Sequence, residues 1–158
     1  MKRLFILLTI TLLTIPAMSQ VLEFNLRGGI NMDRSSVEGK DLSFLPHFGA
    51  MAGARFSSIG IYAEMLLTIH DGEGWAERGT YLVPSLVARY YNPRIFYLEA
   101  GPSYYLLTEK QVPGADVLFP DKKIGFLAGA GFYAGRFDIG IRGVLPVKSL
   151  QLTVTYIF

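Results

Sequence analysis

The chain has 158 residues, of which 51% are hydrophobic and 13% aromatic; this excludes a disordered chain and suits one domain built as a single barrel, sandwich or bundle. There is no cysteine, so a disulfide framework and a thiolate metal site are both excluded. The formal charge of +2 comes from 15 basic and 13 acidic residues, and Lys2 and Arg3 account for the whole excess, so no basic patch argues for a nucleic-acid partner.

The first predicted element is "MKRLFILLTITLLTIPAMSQ". Lys2 and Arg3 precede an apolar run from Leu4 to about Ile15, and the small-residue stretch Ala17-Met18-Ser19 follows. That pattern predicts a secretory signal peptide over residues 1–19, cleaved after Ser19. The apolar run is short for a membrane-spanning helix, which needs about 20 residues. The remaining segment, 20–158, begins at Gln20.

After residue 20 the pattern is period two, the signature of strands. The first segment places Leu22, Phe24, Leu26, Gly28 and Ile30 on one face, and the second Phe48, Ala50, Ala52, Ala54 and Phe56. The third gives Ile59, Ile61, Ala63, Met65, Leu67 and Ile69; the fourth Leu82, Pro84, Leu86, Ala88 and Tyr90. The fifth runs Phe96, Leu98, Ala100, Pro102, Tyr104, Leu106, and the sixth Ile124, Phe126, Ala128, Ala130, Phe132. The last two give Phe137, Ile139, Ile141, Gly143, Leu145 and then Leu150, Leu152, Val154, Tyr156, Phe158. Each segment is near the 9–11 residues of a tilted strand that crosses a bilayer.

The links alternate in length. Short ones fall at Ser57-Ser58, Asn92 to Arg94 and Ala134-Gly135, and long ones run through "NMDRSSVEGKDLSFL", "DGEGWAERG" and "TEKQVPGADVLFPDKK". Only the link from Pro146 to Ser149 is short where a long one is expected. Such asymmetry predicts periplasmic turns, extracellular loops and both termini on the periplasmic side. With Ser57-Ser58 as a turn, Phe56 opposes Ile59, Gly53 opposes Tyr62 and Met51 opposes Glu64. With Ala134-Gly135 as a turn, Phe132 opposes Phe137 and Gly131 opposes Asp138.

The two faces differ in kind. The face above carries no charge, while the other holds Glu23, Arg27, Arg55, Glu64, Arg89, Glu99, Asp138 and Arg142, with Tyr62, Tyr97, Tyr105 and Tyr133. A soluble barrel would turn the charged face outward. The signal peptide, the loop asymmetry and the aromatics near strand ends favour the inverse: an all-β, eight-stranded, antiparallel up-and-down transmembrane barrel in the outer membrane, embedded in its lipid. Inward glycines, among them Gly29, Gly129 and Gly131, make room for arginine and tyrosine in a bore that eight strands leave just wide enough for side chains. The eight inward charges are expected to pair as a salt-bridged plug, the alternative being a narrow channel for small solutes. Pro84 and Pro102 each remove a ladder donor, and a local bulge is expected there.

"YLVPSLVARYY", "FYLEAGPSYYLL", "GFLAGAGFYAGRFDIGIRG" and the terminal "YIF" resemble the PorT-like, porin-family outer-membrane β-barrel proteins of the Bacteroidota. The resemblance spans most of residues 20–158 and implies a small, OmpA/OmpX-like barrel without naming an activity. A last strand with an aromatic end also resembles the address read by the barrel-assembly machinery, carried here by Tyr156 and Phe158.

Chemistry is sparse. His47 and His70 lie at the loop side with Ser43, Asp41 and Asp71 near in sequence, the ingredients of a lipid A hydrolase or acyltransferase, but a triad is recognised by geometry. "DGEG" supplies Asp71 and Glu73, too few oxygens for calcium. "GAGFYAG" lacks phosphate-loop spacing and a following helix. The expectation is a non-enzymatic barrel with no cofactor or metal. Its structural or interaction role would rest on the long loops, where Trp75, Phe44 and Phe119 would meet an unidentified partner; a secretion-system accessory is a further alternative.

Overall fold

The computed structural model describes residues 20–34, 42–70, 79–92, 95–110, 122–145 and 149–158. The signal-peptide segment, Asp41, Asp71, Glu73, Trp75 and Phe119 lie outside these residues. All eight alternating segments are strands: β1 Gln20–Arg34, β2 Leu42–Phe56, β3 Ile59–His70, β4 Gly79–Tyr91, β5 Phe96–Lys110, β6 Lys122–Ala134, β7 Phe137–Leu145 and β8 Ser149–Ile157. They close in sequence order into one antiparallel barrel. The closing seam pairs β1 with β8 from Asn25↔Ile157 to Met32↔Leu150, and the Phe158 N–H donates to the Phe24 carbonyl at 3.2 Å. Closure leaves no unpaired sheet edge, which a barrel in lipid requires.

Period two translates directly into two faces. Leu22, Phe24, Leu26, Phe48, Ile61, Leu98, Phe132, Ile139 and Leu152 are exposed outside, while Arg27, Tyr62, Glu64, Arg89, Tyr97 and Arg142 are at most 2% exposed within. From Leu22 to Met32 on β1 and from Ile124 to Phe132 on β6, as on the other strands between their ends, the outward positions carry no charged side chain; Arg34 and Lys122 take the outward phase only at the loop ends of β1 and β6. A belt of this extent far exceeds the apolar patches that soluble monomers tolerate, so its solvent is hydrocarbon.

Three expectations need correction. First, β1, β2 and β5 run 15 residues each, longer than expected, because the ladder continues into segments read as loop: Asn31–Arg34 and Leu42–Leu45 are paired strand. Phe44 therefore sits on the outer face of β2, not in a loop. Second, the β6–β7 turn is Gly135-Arg136: Ala134 opposes Phe137, Phe132 opposes Ile139 and Tyr133 opposes Asp138. The turn needs a left-handed residue, and Gly135 supplies it with φ 68°. The shift is two residues, so inward and outward assignments are unchanged. The β2–β3 register, by contrast, is the expected one, with Ser57 taking φ 55°.

Third, neither proline makes a bulge. The β4–β5 register shifts at Thr80/Tyr81 instead, near the loop end. Around the prolines the register holds, but pairing thins out.

An ion-paired interior as the candidate functional site

Strand alternation aims Arg27 (β1), Glu64 (β3), Arg89 (β4), Glu99 (β5), Asp138 and Arg142 (β7) into the bore. Strands four apart in an eight-stranded ring face each other, so β1 opposes β5 and β3 opposes β7. Arg27 Nη2 donates to Glu99 Oε2 at 3.1 Å across the first diameter. Arg142 Nη1 donates to Glu64 Oε2 at 2.8 Å across the second. Arg27 Nη1 also reaches Glu64 Oε1 at 2.6 Å, which ties the two diameters together.

Arg89 extends the web. Its Nε donates to Glu99 Oε2 at 2.8 Å and its Nη1 to Asp138 Oδ2 at 2.6 Å. Its guanidinium lies 4.2 Å from the centre of the Tyr97 ring. Three arginines and three carboxylates are thus desolvated together, and each charge has at least one opposite partner in direct contact. Pairing offsets the cost of taking each from water; an isolated one would be very expensive.

Glu23 and Arg55 form a separate pair at the turn end, 3.2 Å apart, with the Arg55 side chain 38% exposed at the mouth. Tyr62 donates to Glu23 at 2.5 Å and shares a 2.8 Å bond with Tyr91.

Glycines open the space these groups occupy. A Cβ on Gly129 would sit 2.5 Å from the Arg142 Cβ, and one on Gly131 would sit 2.6 Å from the Tyr97 hydroxyl.

Toward the loop end the web continues through neutral groups. Arg142 Nε donates to Gln151 Oε1 at 2.6 Å, Gln151 Nε2 to Asn31 Oδ1 at 2.8 Å, and Asn31 Nδ2 to Thr68 Oγ1 at 2.6 Å. His47 Nδ1 lies 2.9 Å from the same Asn31 oxygen. Sequence reasoning missed Asn31, Thr68 and Gln151: Asn31 fell in a segment read as loop, and which of the inward residues would meet was not readable.

Of the triad ingredients considered in sequence, Asp41 and Asp71 lie outside the described residues, and the structure gives His70 other neighbours. His70 Nδ1 lies 3.0 Å from Asp33 Oδ2, and its Nε2 lies 3.4 Å from Thr68 Oγ1. Acid, imidazole and hydroxyl follow in order here as Asp33, a residue read as loop, His70 and Thr68. Thr68 is 1% exposed, and its oxygen accepts a hydrogen bond from Asn31 Nδ2. Among the described residues no group of three or more His, Asp or Glu could hold a metal ion.

No protein-family model matches the chain. No curated protein matches it either. Two solved structures are similar. Neisserial surface protein A (NspA) shares 17% identity over 88% of this chain and 97% of its own, with a TM-score of 0.60. The Yersinia pestis outer membrane protein Ail, solved in a phospholipid bilayer nanodisc, shares 17% over 86% of this chain and 99% of its own, with a TM-score of 0.48. At that identity the first likeness establishes the architecture, a closed eight-stranded antiparallel barrel.

Proposed function

We propose that the chain is an integral outer-membrane barrel whose interior is sealed by paired charges and whose biological work is done at its loop end. The observation that carries this reading is the crossing of both diameters, by Arg27–Glu99 and by Arg142–Glu64. A bore spanned twice at one level leaves side chains where a solute would pass. The likeness to NspA, itself a surface protein by name, and the sequence resemblance to PorT-like barrels support the same placement.

In this reading residues 1–19 are a signal peptide, 20–158 form the barrel, and the termini and short turns face the periplasm. The barrel-assembly machinery reads the last strand through Tyr156 and Phe158, which meet edge to face at 4.9 Å beside Phe24 and Phe137. Outer-membrane lipid covers the apolar belt. Segments 35–41, 71–78 and 111–121 carry the contact with an extracellular partner, and the barrel is not an enzyme.

Fractionation of cells that make the full chain, followed by surface proteolysis, tests the placement. The expected result is recovery with the outer membrane and cleavage confined to those three segments. Recovery in the soluble periplasm, or cleavage at Ser57-Ser58 or Gly135-Arg136 from outside, would overturn it.

A further inference from the structure

Toward the loop end the hydrogen bonds fix the place of a proton as well as the side chains. Arginine offers no acceptor, so the amide oxygen of Gln151 must face Arg142 Nε at 2.6 Å. The Gln151 nitrogen then donates to Asn31 Oδ1 at 2.8 Å. Asn31 is oriented a second time, because its Nδ2 donates to Thr68 Oγ1 at 2.6 Å and to the Ile69 carbonyl at 2.7 Å. The Asn31 oxygen can therefore only accept from His47 Nδ1, 2.9 Å away, and that nitrogen must carry the hydrogen. His47 is held as the neutral Nδ1–H tautomer, with Nε2 a bare acceptor.

That Nε2 is buried over Gly29, where an added Cβ would sit 2.8 Å from it, and it has no hydrogen-bond partner among the described residues. The inward charged or titratable groups on the strands around it are Arg27 and Asp33 on β1, Glu64 and His70 on β3, and Arg142 on β7. Every carboxylate in that set is committed: Glu64 to both arginines, Asp33 to His70. A proton on His47 Nε2 would be a buried charge near Arg142 with no counter-ion in contact, which is costly. His70 differs, since a proton there completes an ion pair with Asp33 Oδ2 at 3.0 Å.

We propose that His47 is an acid-sensing latch, whose protonation releases Asn31 and loosens the loop end of the bore. Asn31 is the node through which side chains of β8, β2 and β3 are tied to β1. The buried charge is relieved when the ring leaves for water, and its bond to Asn31 is lost with it. The loosened form binds a proton that the closed form does not, so acid favours it, beginning as pH falls through the ordinary imidazole value of about 6.5. Arg89 and Asp138, nearer the turns, are bonded to each other, and the turn end holds. The latch depends on the web inside the bore and not on the membrane placement.

The refolded chain in detergent micelles tests it by NMR. At about pH 7.5 the imidazole nitrogen shifts should report the Nδ1–H tautomer for His47. At about pH 5 the backbone amides of Asn31 and Thr68 should exchange hydrogen about tenfold faster than at about pH 7.5, after correction for intrinsic rates. Those of Ile61 and Ile139, near the turns, should not change. His47→Gln, which keeps a donor for Asn31 and cannot titrate, should abolish the acid step. If that variant fails to fold, the wild-type shifts still decide, because His47 must stay neutral until the loop-end amides open. Titration of His47 in a barrel whose exchange does not change would overturn the latch. So would an Nε2–H tautomer at neutral pH, a wild type without the acid step, or a step that survives in His47→Gln.

Discussion

Arg142 and Glu64 face each other from opposite walls of the barrel with 2.8 Å between Nη1 and Oε2. The contact is long-range in sequence and short in space, and the fold has to be closed before it can form. Gly129 makes it possible: with no side chain of its own, it leaves the arginine Cβ room beside the neighbouring strand. Glycine on β6, arginine on β7 and glutamate on β3 therefore act as one unit, in which backbone space, charge and closure depend on each other.

Arg89 is the only described cation within hydrogen-bond reach of Asp138, whereas Glu99 shares two arginines that each keep another carboxylate. Arg89→Ala should therefore cost about 3–5 kcal/mol by leaving Asp138 buried and unpaired. Glu99→Ala should cost less, about 1–3 kcal/mol. Equilibrium urea unfolding, followed by mobility on unboiled gels, reads both values. An equal loss in the two variants would contradict this wiring.

Gly129 and Gly143 make a matched comparison on β6 and β7. Gly129→Ala places a methyl against the Arg142 Cβ, while at Gly143 the nearest atom to an added Cβ is the Ala128 carbonyl oxygen at 4.0 Å. The first substitution should destabilise by about 1–3 kcal/mol through overpacking. The second should be neutral, or stabilising by up to about 1 kcal/mol. The same unfolding assay separates them.

Asn25 is fully buried, and neither atom of its amide has a hydrogen-bond partner among the described residues. In a dry, sealed bore Asn25→Leu removes a desolvated polar group and should raise stability by about 1–3 kcal/mol. In a wet channel the amide would already be solvated, and the same substitution would lower stability. Thermal unfolding in detergent decides the sign.

The outer face predicts a depth profile. Ile141 sits at the centre of β7 opposite Leu152, while Phe44 lies near the loop end of β2. Arginine at a bilayer midplane costs about 2–4 kcal/mol and near an interface about 0–1 kcal/mol. Ile141→Arg should therefore destabilise the vesicle-inserted barrel far more than Phe44→Arg. Equal effects would mean that the belt does not sit in lipid as assigned.

Which side each residue faces was legible in the sequence because alternation is local, and one phase error flips a whole strand into the wrong medium. Register was less legible. Ala134-Gly135 and Gly135-Arg136 give the same faces, and only the left-handed backbone of Gly135 distinguishes them. The strand extensions at Asn31–Arg34 and Leu42–Leu45 were hidden by polar residues that look like loop but point into the bore. For that reason Asp33 escaped notice as the partner of His70. The eight charges could be named from composition and phase, but contacts across a diameter depend on barrel closure and side-chain reach. The prolines drew attention to the right place for the wrong reason: they thin the pairing of a seam without shifting its register.

Planar-bilayer conductance of the refolded chain from Gln20 to Phe158, with folding checked on unboiled gels, tests the sealed interior most directly. Folded protein that inserts and gives no discrete current steps is the result predicted by charges crossing both diameters. Steady, reproducible steps from folded wild-type protein would contradict it, and the same arginines and carboxylates would then line a conducting path.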